Sequence, residues 1–240
     1  MPVPGGSFFY VLRVPRFTDP AQAFSLAARC APEVLTALPI PPNAAARPFV
    51  PRTFPICRAF AALCAVLQLT RLPPQALSVG VLDPDGVLRG RMQALLPLAA
   101  DVRVVTNDPR RFEADVLSAR RQFGALLTVG EDAALLGRCD AVVCPAPEAA
   151  IRNVPVVLSC VPADGAFSLA SVQLPQAYAR LCPDGTQGDL FAAALFEKCG
   201  VRAPELLACT GILRGGERLD VRRAALCWRA RTERQRKKLS

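Results

Sequence analysis

The sequence predicts an α/β chain built on a parallel sheet with helices on both faces. Three observations carry this. Five short apolar runs (residues 77–82, 102–106, 125–129, 140–144 and 155–160) alternate with segments of helical spacing. Each run is apolar at successive positions, as strands buried on both faces are. Each run also ends in a polar or Gly/Pro-rich turn: Asp83-Pro-Asp-Gly86, Thr106-Asn-Asp108, Gly130-Glu131, Cys144-Pro145. In such sheets ligands bind at the carboxyl ends of the strands, so these four turns mark one edge as the candidate site.

Taken in order, residues 7–14 are β-prone and predict a strand, and residues 20–30 predict a helix capped by Asp19. Residues 39–55 are proline-rich and without period, and predict an irregular connection. Residues 58–70 are apolar almost all round and predict a buried helix, which Pro73 and Pro74 end. In the central unit, residues 88–100 have helical spacing weakened by Pro97. Asp108 and Pro109 suit the cap and first position of a helix running to Gly124. Shorter helical pieces are expected at 132–138 and 148–152. Beyond Cys160, residues 171–174 predict an added strand, and 175–181 and 188–199 predict helices. Residues 205–214 and 218–229 predict two strands joined at Gly215-Gly216. The expected organisation is an α+β segment at 1–75, the central core at 76–161, C-terminal helices and a hairpin at 162–228, and a basic tail at 229–240.

Composition excludes several chemistries. The chain has 240 residues and no histidine, which removes Ser-His-Asp and Cys-His catalysis, histidine-ligated zinc and imidazole acid–base work. Ten cysteines are scattered with no C-x-x-C, mostly in apolar surroundings, and read as reduced, buried small hydrophobes. No metal site is expected. Cys144 and Cys160 lie near strand ends, where one of them could face a cleft. There is no apolar run of membrane-spanning length and no signal-peptide pattern, so a cytoplasmic protein without a membrane partner is expected. Formal charge is +9. The basic C-terminal tail offers a contact for nucleic acid or an acidic partner.

Residues 77–147 resemble the cofactor-binding domain shared by shikimate dehydrogenases and glutamyl-tRNA reductases. The resemblance runs through Leu82-Asp-Pro-Asp-Gly-Val-Leu-Arg89, Val105-Thr-Asn-Asp-Pro-Arg-Arg-Phe-Glu113 and the stretch from Ala133 to the strand that starts at Asp140. It implies a Rossmann-like fold and an NAD(P)-binding-like site at Asp83, Asp85, Gly86, Thr106, Asn107, Asp108, Arg110 and Cys144. Arg110 and Arg111 follow the second strand, where NADP-selective members keep basic residues, so NADP is the candidate cofactor. The first turn departs from the family: carboxylates stand at Asp83 and Asp85 where glycines would admit a pyrophosphate, and only Gly86 remains. Two unit charges about 4 Å apart interact by about 4 kcal/mol at an effective dielectric of 20. The degenerate glycine motif therefore points to a small-ligand or nucleotide-binding module with an impaired dinucleotide site, which leaves enzymatic activity undecided. An NADP-dependent oxidoreductase is one alternative. Asp-x-Asp-Gly after a strand also resembles the first motif of haloacid dehalogenase-type phosphatases, which implies a magnesium-dependent phosphatase with Asp83 as nucleophile. The 22 residues between Asp83 and Thr106 leave little room for that family's flap.

Overall fold

The computed structural model describes residues 11–13, 18–36, 41 and 43–239. The chain forms two compact units, Met1–Phe54 with Ser171–Leu206, and Pro55–Ala170 with Leu207–Ser240. The strand expected over 7–14 lies outside the described residues, apart from 11–13, which carry no regular structure.

In the first unit, α1 (Pro20–Cys30) starts as expected, with the Asp19 carboxylate accepting the Ala21 N–H. The short bridge of Glu33–Val34 with Arg47–Pro48 is parallel. Lys198 pairs with Glu33 at 2.6 Å. The Glu197 carboxylate accepts the successive peptide N–H groups of Arg52, Thr53 and Phe54 at 2.7–2.9 Å, and the Phe54 and Phe196 rings meet at 5.6 Å.

The second unit holds an eight-stranded sheet. Its strands are β1 (Ser78–Leu82), β2 (Asp101–Val105), β3 (Leu126–Gly130), β4 (Ala141–Cys144), β5 (Val156–Ser159), β6 (Phe167–Leu169), β7 (Ile212–Arg214) and β8 (Glu217–Leu219). The spatial order is 3-2-1-4-5-6-7-8. The first six are parallel, and β7 and β8 are antiparallel to their neighbours. The order 3-2-1-4-5-6 is that of the doubly wound dinucleotide-binding sheet, so the fold is Rossmann-like. The order in which strands are added reverses at β1, which has β2 on one side and β4 on the other.

The crossovers are leaner than the sequence suggests. The helix expected over 88–100 is a series of turns around a single 3-10 turn, Met92–Ala94. Gly90 takes φ +71°, outside the helical region, and Pro97 lacks an N–H. The apolar spacing was real: Leu88, Met92, Leu95, Leu96 and Ala99 are all buried. Consecutive turns can bury an i, i+3, i+4 stripe without an α-helix. Between β2 and β3 the backbone passes from a 3-10 turn (Pro109–Phe112) into α2 (Glu113–Ser118) and then a π-turn (Ala119–Phe123), which left-handed Gly124 ends. The pieces at 132–138 and 148–152 are 3-10 turns, Ala133–Leu136 and Ala149–Ile151. The buried apolar helix expected before the sheet is present as α3 (Phe54–Thr70).

Two further expectations are corrected. Residues 171–174 form no strand; the added strand is β6, placed earlier in the chain. The hairpin at Gly215-Gly216 is present, but its second strand is only β8. Residues from 221 onward form α4 (Val221–Leu239), 19 residues long. Its start is fixed by Asp220, whose side chain accepts the Arg223 N–H at 2.8 Å. Trp228 is buried against Phe167 at 5.7 Å. Arg231 donates to the Pro155 and Gly165 carbonyls, and Arg236 forms a two-point pair with Asp140 while reaching the Ala76 carbonyl.

Gly80, in the middle of β1, has no room for a side chain. A Cβ there would lie 2.8 Å from both Leu136 Cδ2 and Val142 Cγ2. Gly80→Ala is expected to cost about 1–3 kcal/mol of stability by overpacking, read as a lower urea midpoint at unchanged m-value.

Candidate functional site

The turn after β1 is built on one residue. Asp83, Pro84, Asp85 and Gly86 form a β-turn closed by the Gly86 N–H to the Asp83 carbonyl at 3.1 Å, with Gly86 at φ +65°. The next two N–H groups, of Val87 and Leu88, donate to the two oxygens of the Asp83 carboxylate at 3.0 and 2.7 Å. Three successive peptide N–H groups thus converge on Asp83. Such a cluster of donors after the first strand is what cradles phosphate in nucleotide-binding sheets. Here an aspartate of the chain occupies it, 1% exposed. There is no α-helix behind this turn, so its N–H donors belong to the loop itself.

Neighbouring groups fasten the turn down. The Asn107 N–H and the Thr106 hydroxyl both donate to the Pro84 carbonyl, at 3.1 and 3.4 Å. Pairing between the ends of β1 and β2 therefore continues past the strands. Arg111 crosses the turn: its guanidinium donates to the Asp85 carbonyl at 2.8 Å and pairs with Asp108 at 3.1 Å. A Cβ on Gly86 would lie 3.0 Å from Arg111 Cδ. Farther along, the buried Asp115 carboxylate accepts the Gly90 N–H at 2.7 Å and ties the connection to α2.

The structure thus brings Asp83, Asp85, Gly86, Thr106, Asn107 and Asp108 together. Asp108 does not cap the following helical segment as expected, because its carboxylate takes Arg111. Arg110 is exposed beyond β2. Cys144 does not face a cleft. It is buried in the core beside Leu82 and Val142, and burial pushes its thiol up to about 12. Burial likewise holds the Cys160 thiol at about 12. Neither supplies a thiolate nucleophile near neutral pH. Asp115 is a site residue that the sequence did not single out, and Arg111, expected beside a cofactor phosphate, instead bridges Asp85 and Asp108. Asp115 gives no signal within a helical stretch, and the role of Arg111 depends on a contact 26 residues away with Asp85.

Chemically, the arrangement is a donor cluster with a resident anion. Burial raises the Asp83 carboxyl above its ordinary value, against the opposing effect of the Leu88 and Val87 N–H groups. Both of its oxygens are engaged, so it is not poised to attack phosphorus. Among the described residues, no group of three or more Cys, Asp or Glu is placed to hold a metal ion, and no helix is long and apolar enough to cross a membrane.

No family model matches the chain, and no curated protein matches it. Among solved structures it is similar to L-tryptophan dehydrogenase from Nostoc punctiforme, with 14% identity and a TM-score of 0.34, over 80% of this chain and 62% of that one. The chain thus spans less than two thirds of that protein's length, and the fold assignment rests on the strand order.

Because the folded pKa of Asp83 lies above the ordinary 3.8, the folded chain holds more of this proton between those two values. The group's contribution to stability is fullest below the unfolded value and is lost as pH rises through the folded one. The stability of wild type minus that of Asp83→Asn is therefore expected to fall with rising pH across this acid window and then level off, in urea unfolding at constant ionic strength. A difference that grows with pH would show that the N–H donors outweigh burial.

Proposed function

We propose that this chain is a Rossmann-like small-ligand or nucleotide-binding module whose phosphate cradle is filled by its own Asp83 carboxylate. The observation that supports it is the pair of hydrogen bonds from the Val87 and Leu88 N–H groups to that carboxylate. A diphosphate bound in the ordinary way would have to evict an anion and break the Arg111 bridge to Asp85. The resemblance to shikimate dehydrogenases and glutamyl-tRNA reductases belongs to this reading as a relation of scaffold, with no catalytic residue assigned. A ligand in this reading uses the edge formed by Asp85, Asn107, Asp108 and Arg110, and avoids placing phosphate on the turn.

The NADP-dependent oxidoreductase reading has one observation in its favour. Arg110 is exposed just beyond β2, where a 2′-phosphate would be met. Arg111, the other candidate for that role, is committed to Asp108 and Asp85. The phosphatase reading has less support, because Asp83 is buried with both oxygens accepting N–H groups.

Titration calorimetry with NADP and with inorganic pyrophosphate tests the proposal. Wild type is expected to show no binding of either at micromolar concentration. Asp83→Gly, which vacates the donors, is expected to gain at least tenfold in pyrophosphate affinity while losing stability. A micromolar Kd for NADP on the wild-type chain would overturn the proposal.

A further inference from the structure

The chain's positive charge is concentrated in one element. Eight of the 29 cationic residues but only one of the 20 acids lie in α4, so the rest of the chain carries 21 cations and 19 acids and is close to neutral. This element is not a frayed end. Trp228, Arg231 and Arg236 fix one side of the helix to the sheet unit, through the Phe167 ring, the Pro155 and Gly165 carbonyls and Asp140. The opposite side is solvent-facing and carries Arg222, Arg223, Arg229, Arg234, Lys237 and Lys238, with Glu233 as its only acid. Arg229 is paired with Glu233 at 2.8 Å.

We infer that the outer face of α4 is a docking surface for the sugar-phosphate backbone of a nucleic acid, bound without base readout. A helix of 19 residues extends about 28 Å at 1.5 Å per residue. That length places its cations against several successive phosphates. The guanidinium fork suits phosphate oxygens in particular, and four of the six exposed cations are arginines. Because the helix is already held in place, ordering it upon binding has no entropic cost of the kind a disordered tail would incur. The face presents no Asn or Thr for base edges: Thr232 is buried on the inner side and Gln235 is half-buried.

The test is fluorescence anisotropy of a labelled mixed-sequence DNA duplex, an RNA duplex of the same sequence and a polyglutamate peptide, titrated with the full chain. Micromolar binding is expected for at least one duplex at 50 mM salt, insensitive to base sequence. With about four phosphates engaged, affinity is expected to fall about a hundredfold between 50 and 200 mM salt. The two duplex arms report whether deoxyribose or ribose backbone is preferred. A variant with Arg222, Arg223, Arg234 and Lys238 all changed to Gln is expected to lose at least tenfold in affinity at 50 mM. A control with Arg29, Arg89, Arg120 and Arg121 changed to Gln, all exposed elsewhere, is expected to stay within twofold. If the fourfold variant does not fold, Arg222→Gln and Arg234→Gln singly should each flatten the salt dependence. Four results would overturn the inference: no duplex binding at 50 mM salt, equal losses in the fourfold variant and control, unchanged salt dependence in the single variants, or polyglutamate bound more tightly than either duplex.

Discussion

The peptide donors that follow the first strand of the sheet already have an anion. That one arrangement, a carboxylate accepting two N–H groups while its own carbonyl takes a third, sets the character of the candidate site. In a dinucleotide-binding sheet the same donors are left for the ligand, and glycines keep the approach clear. Here the loop satisfies itself. It needs no helix behind it to orient its backbone, and none is present. The tightening of the β1 and β2 ends through Pro84, and the placement of Arg111 over Gly86, build on this closed turn.

Much of the fold could be read from the amino acids because parallel strands buried on both faces leave an apolar signature that little else shares. The positions of β1 to β5 follow from it directly, and glycine's tolerance of positive φ accounts for the left-handed stop at Gly124. What could not be read was the geometry between strands. Leu88, Met92, Leu95 and Leu96 have helical spacing, yet Gly90 and Pro97 steer the backbone into turns that bury the same side chains. Residues 221–229, expected as part of a strand, carry helix signals in the sequence. Asp220 is a capping residue, and the Ala-, Leu- and Arg-rich stretch after it favours helix.

Legibility at the site divides the same way. The acidic turn Asp83-Pro-Asp-Gly86 is plain in the sequence, and the structure adds which acid meets the donors: Asp83 faces inward, while Asp85 is exposed and contributes its carbonyl. The contact of Arg111 with Asp85 and the role of Asp115 were hidden because their partners lie 26 and 25 residues away in the chain. Cys144 shows the reverse case, in which a residue near a strand end looks available in sequence but is enclosed by strand packing.

The sheet unit is discontinuous, and this bears on how it is made. β6 gains its outer neighbour only when β7 exists, and 42 residues separate Leu169 from Ile212. At 5–20 residues per second, a ribosome takes about 2–8 s to cross that interval. Throughout it the newest parallel strand has a bare margin of amide and carbonyl groups, the kind of margin onto which foreign strands add. Translation speed through this interval therefore governs how long the half-finished sheet stays open to the wrong partner.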